Sequence, residues 1–149
     1  MLQDLLTKQF HLQVRIENRP VPVFALTAIK NPPKLRQPDN SDGRNGCRLA
    51  VDTARSMQGA IRHNATMADL AHVLPRIASG YIDLPVVGLT GLSGSYDFQF
   101  EWVVKEKQTD APGPTVFVAV EGLGLKPEQR KHPAPIVVIE RVDRTPAVN

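Results

Sequence analysis

The segment Gly88-Leu89-Thr90-Gly91-Leu92-Ser93-Gly94 sets glycines beside hydroxyls, a composition that serves either to cradle phosphate or to present a nucleophilic serine. The spacing fits neither chemistry. A phosphate loop needs Lys followed by Ser or Thr at a helix N-terminus. A nucleophile elbow needs Gly two residues after the serine on a strand-to-helix turn. Here Ser95 stands where that Gly should be, and the run leads into the extended segment Tyr96-Asp97-Phe98. The glycines are expected to supply positive φ in a tight loop between two strands. Gly88, Thr90, Gly91, Ser93 and Gly94, with Asp97 just beyond, form the candidate binding loop, and no catalytic role is assigned to any of them.

The remaining chemistry-bearing residues are dispersed. His11, His63, His72 and His132 lack the i,i+4 pairing of a zinc helix, so neither a metal nor a cofactor is expected. Asp69 and His72 lie three apart and can pair on one helix face. Asp97 and Glu101 share the polar face of an alternating segment. An enzymatic alternative would have to bring His63 or His72 together with Asp69, Asp97 or Glu101 in one pocket. Cys47 is the single cysteine, which excludes an internal disulfide and any multi-cysteine metal site, and leaves it as a small apolar side chain or a surface thiol. Asn64-Ala65-Thr66 matches a glycosylation acceptor, but Thr66 is better explained as a helix cap.

The elements that must position these residues follow from periodicity. Leu2, Leu5, Leu6 and Phe10 have helical spacing, and Leu12, Val14 and Ile16 then alternate with polar residues. Asn18-Arg19-Pro20 is expected to turn the chain into a second extended run, Val21 to Ile29. Asn31 to Asn45 has the composition of a loop, and Cys47–Val51 and Gly59–His63 are short strand candidates. Thr66 with Asp69 makes an N-cap for a helix whose apolar stripe is Met67, Leu70, Ala71, Leu74 and Ile77, with Pro75 in conflict with it. Tyr96, Phe98, Phe100, Trp102 and Val104 alternate on one face, which is assigned to the core. Residues 105–114 read as a polar connector. Val116 to Val120 is β-branched yet stands where the recurring unit places a helix, and position is taken over propensity. Leu125–Lys131 and Ile136–Val142 are read as a closing hairpin. The chain is thus read as one α+β domain over 1–149, a mostly antiparallel sheet with short helices on one face. It is built from three helix-plus-hairpin units (1–30, 66–104, 115–143) joined by loops 31–45 and 105–114.

Composition agrees with a folded domain: 42% of 149 residues are hydrophobic and 22% charged, which excludes disorder as the default. No apolar run approaches the ~20 residues of a membrane span. Eighteen Lys and Arg against fifteen Asp and Glu leave only +3, and the clusters Lys105/Lys107 and Arg130/Lys131 are interrupted by Glu106 and Glu128. Nucleic-acid binding, which needs basic residues converging on one face, is therefore the weakest alternative. The first helix has no cap, as though the chain began inside an element, so a piece of a longer protein is expected.

Leu2-Gln3-Asp4-Leu5-Leu6, Arg19-Pro20-Val21-Pro22-Val23-Phe24 and Thr66-Met67-Ala68-Asp69-Leu70-Ala71, with Leu84-Pro85-Val86-Val87 before the Gly88–Tyr96-Asp97-Phe98 block, resemble the soil-associated family of uncharacterised proteins expanded in acidobacteria. Gly122-Leu123-Gly124-Leu125 and Pro135-Ile136-Val137-Val138-Ile139 are similar to its closing unit. The resemblance implies an exported protein with a further N-terminal segment, and it supplies no activity, substrate or catalytic residues. The chain departs from the family in Val87-Gly88-Leu89-Thr90, where members carry an acidic residue after the valines, and in Pro75. The architecture also resembles the short N-terminal domains of secretins and TonB-type envelope proteins, which are interaction modules. The expected function is a non-catalytic envelope or extracellular module that engages a protein or peptide by strand addition, through an exposed edge or the Gly88–Gly94 loop.

Overall fold

The computed structural model describes residues 2–29, 35–39 and 46–147. In chain order the elements are α1 (Leu2–Phe10), β1 (Gln13–Ala28), β2 (Gly46–Asp52), β3 (Met57–Thr66), α2 (Met67–Ile77), β4 (Val86–Gly88), β5 (Ser95–Val103), a 3-10 turn (Lys105–Lys107), α3 (Val116–Gly122) and β6 (Leu125–Arg141). One sheet has the order β4-β1-β6 and the other β2-β3-β5, an α+β arrangement. Most of the loop expected over 31–45 and the side chain of Cys47 lie outside the described residues.

The alternating aromatics behave as their period requires. Phe98, Phe100 and Trp102 are buried on one face of β5, with the Phe100 and Trp102 rings stacked at 5.3 Å. They pack with Leu70 and Leu74 of α2, Val116 and Val120 of α3, Leu26 of β1 and Leu125 of β6. Helix α2 starts at a complete capping box. The Thr66 hydroxyl accepts from the Asp69 N–H at 3.1 Å and the Asp69 carboxylate accepts from the Thr66 N–H at 2.9 Å. Pro75 does not stop the helix, which runs two residues further to Ile77. In the last turn a missing N–H removes a single bond from a helix already anchored by buried Leu70, Ala71, Val73 and Leu74. Helix α3 resolves the conflict between propensity and position. The Thr115 hydroxyl caps it by accepting from the Val118 N–H, and the four-residue spacing brings Val116 and Val120 into the core together.

Two expected turns are absent. Residues 18–20 do not reverse the chain, and β1 continues unbroken from Gln13 to Ala28. The prolines explain how a strand tolerates Pro20 and Pro22. Strand β4 pairs only with Phe24 to Leu26, and the Phe24 N–H donates to Pro85 on that side. Alternation points residues 20 and 22 to the same edge as 24, beyond the reach of β4, where no ladder bond is lost. Likewise the closing hairpin is replaced by one 17-residue strand, β6, with Pro127, Pro133 and Pro135 on an outer strand of its sheet. The β1–β4 pair is parallel, whereas β2-β3-β5 is antiparallel throughout.

The chain forms two compact units, Pro22–Arg130 and the pair of segments Met1–Val21 and Lys131–Asn149. The first holds the whole buried core. Within the second, α1 has no buried residue, and the Phe10 carbonyl accepts from Asp143 while His11 meets the Asp143 carboxylate at 2.8 Å.

Candidate binding groove and the Asp97 tether

The Gly88–Gly94 loop takes the conformation its composition demands. Gly91 and Gly94 have φ of 70° and 86°, the left-handed region that side chains resist. The Thr90 hydroxyl accepts from the Leu92 N–H at 3.2 Å, and the Tyr96 hydroxyl donates to the Ser93 carbonyl at 2.8 Å, so the loop is closed on itself at both ends. Between this loop and the first turns of α2 lies an open groove of about 630 Å³. Gly88, Thr90, Gly91 and Gly94 line it with Met67, Ala71, Val86, Val87 and Leu92, and His72 stands at its wall. Of the candidate residues, Ser93 does not line the groove and Asp97 lies elsewhere.

Strand β4 lines that groove and, among the described residues, has a strand on one side only. Pro85 accepts from Phe24 and the Leu89 N–H donates to Leu26, so residues 85, 87 and 89 turn their backbone groups toward β1. By alternation Val86 and Gly88 direct N–H and C=O the other way. No hydrogen bond among the described residues takes up these groups. Sequence reasoning found the loop and missed this edge, because which parity of a strand faces its neighbour is set by pairing and leaves no mark in composition.

Asp97 is a tether. Its carboxylate accepts from the Asn64 N–H at 2.7 Å and the Asp39 N–H at 3.2 Å, while its backbone forms a two-way bridge with Arg36. It thereby holds segment 35–39 against β5 and secures the bulge between Arg62 and Ala65, where Asn64 adopts a φ of 51°. The Asn64 bond, reinforced by those of Asp39 and His63, holds the carboxyl below its ordinary 3.8 against the opposing effect of desolvation. His63 Nδ1 approaches the same carboxylate at 3.5 Å in a cleft of about 500 Å³ that Arg36 and Arg62 also line. The His63–Asp97 pair is thus brought together, but its carboxylate is engaged by backbone donors. Asp69 is likewise committed: hydrogen bonds from the Thr66 side chain and then its N–H hold its carboxyl below 3.8. Both shifts favour the ionised form, the opposite of what a general acid at neutral pH requires. Glu101 projects near Gly59 on β3, apart from both histidines.

Several of the described basic residues are engaged by neighbours. Lys126 and Arg130 both engage Glu128, at 3.0 and 2.9 Å, and Lys105 sits over the Tyr81 ring at 5.9 Å. Among the described residues no group of His, Cys, Asp and Glu is arranged to hold a metal ion, and no helix is long and apolar enough to cross a membrane.

Fold and groove together define an α+β protein in which a short parallel strand lies open beside a capped helix. The model of a family described as "Protein of unknown function (DUF3738)" matches residues 1–142, and the chain belongs to that family. No curated protein and no solved structure matches it.

Proposed function

We propose that the chain is a non-catalytic interaction module that takes an extended peptide segment of a protein partner by strand addition onto β4. The observation that carries this reading is the outward backbone of Val86 and Gly88, unpaired within the described residues and bordered by a groove with Met67, Ala71 and Leu92 in its walls. Main-chain bonds would supply affinity and the groove would select the alternate side chains. Three residues of strand allow only a short ladder, so weak, reversible binding is the regime expected. In this reading the module acts in the cell envelope or outside the cell, an expectation drawn from the family resemblance.

The test is selection of extended peptides from a displayed library, followed by amide exchange on the complex. Bound peptides are expected to slow exchange at Val86 and Gly88. Gly88→Pro removes one outward donor while leaving the Leu89–Leu26 bond in place, and it should abolish capture. Peptides that bind this variant as tightly as the parent, or that protect other amides only, would exclude the reading.

A further inference from the structure

Strand β2 is one of the two outer strands of the sheet β2-β3-β5, with β3 on one side and no strand on the other among the described residues. Its register with β3 sets Leu49 opposite Ala60 and Val51 opposite Gln58, and β3 in turn sets Ala60 opposite Phe100 and Gln58 opposite Trp102. Leu49 and Val51 therefore lie on the same face as the core aromatics. Yet they are 55% and 66% exposed, whereas Ala60 and Trp102 are 1% exposed. The core face of this sheet runs on past its cover, and its last row is bare at an open edge. Natural edge strands are usually protected against such exposure.

The order of residues on β2 says what fits there. Arg48-Leu49-Ala50-Val51-Asp52 is a palindrome in hydropathy with opposite charges at its ends. An antiparallel copy centred on Ala50 places Arg48 against Asp52 and Leu49 against Val51, each twice. Arg48, Ala50 and Asp52 share one face and Leu49 and Val51 the other, so both faces are matched in one register. Centring on Leu49 or Val51 leaves both charges opposite uncharged residues, and a shift of one residue turns the apolar pair to the wrong face. Arg48 has no ion-pair partner among the described residues, and Asp52 has only Arg55 at 3.7 Å.

We propose that β2 is a self-recognition edge, and that its occupant is a second copy of this chain, paired antiparallel about a two-fold axis at Ala50 to give a continuous six-stranded sheet. A two-fold contact of this kind uses the same patch on both subunits, which is the condition the sequence meets. The edge is distinct from β4, so the peptide-binding reading stands or falls separately.

Charge exchange on the full chain tests the register, with mass in solution read by light scattering and sedimentation. The parent chain is expected to dimerise. Arg48→Asp puts two acidic pairs in the interface and should weaken association by about tenfold or more. Asp52→Arg does the same with basic pairs; because Asp52 also accepts the Arg55 N–H at 3.1 Å, Arg48→Asp is the cleaner variant. An equimolar mixture of the two should recover a heterodimer, since both of its pairs are then unlike. The double exchange R48D/D52R, of unchanged composition, should recover the homodimer. A parent chain monomeric at about 0.5 mM overturns the proposal. So does a dimer indifferent to Arg48→Asp, or a mixture and a double exchange that both fail to recover association.

Discussion

Asp97 shows how a surface carboxylate can be structural without being buried in the core. The alternation of β5 places it on the polar face, and sequence alone makes it a candidate ligand residue. Its two backbone donors come from Asn64 and Asp39, 33 and 58 positions away, so nothing local announces them. Because its folded pKa lies below the ordinary 3.8, its stabilising effect is fully present above that pH and is lost as pH falls through the folded value. Asp97→Asn should therefore destabilise the chain at pH 7 and flatten the loss of stability below pH 4, measured by denaturant midpoints across pH. Thr66, by contrast, is legible: the pattern with Asp69 names the cap, and both bonds are present. Thr66→Ala should cost about 1 kcal/mol in chemical denaturation.

Elements were legible where local chemistry and tertiary demand agreed. The capped helix α2 and the aromatic strand β5 follow from period alone. Helix α3 followed from position against propensity, because a Thr cap and two valines four residues apart outweigh β-branching once the core is there to receive them. The turns expected at 18–20 and within β6 failed for one reason. Proline signals a break unless the edge it occupies is unpaired, and that depends on where a neighbouring strand ends. In the Gly88–Gly94 loop Gly91 and Gly94 are required by conformation and not by space. A Cβ at Gly94 would meet no atom within 4 Å, yet φ is 86°. Gly94→Ala should thus destabilise by about 1 kcal/mol, through the left-handed backbone alone, and leave the core's tryptophan emission unchanged.

At the scale of the molecule, burial is concentrated in Pro22–Arg130, and Trp102, Leu70 and Leu74 are its largest fully enclosed side chains with Leu26, Ile82 and Leu125. Trp102→Ala should cost about 3–5 kcal/mol by the cavity it opens, read from equilibrium unfolding. In the other unit the backbone bonds are joined by exposed ion pairs such as His11–Asp143 and Arg15–Glu140, each of which contributes little, and α1 buries no residue. Amides of α1 should accordingly exchange well before those of β3 and β5. The sequence by itself determined the α+β class, the Thr66 cap, the aromatic core face and the positive-φ loop, because each depends on residues within a few positions of one another. Only the tertiary structure decided that β1 and β6 run unbroken, that Asp97 is a tether, and that among the described residues β2 and β4 each have a strand on one side only. Those outcomes rest on which strand lies beside which, a long-range choice that side-chain periodicity does not encode.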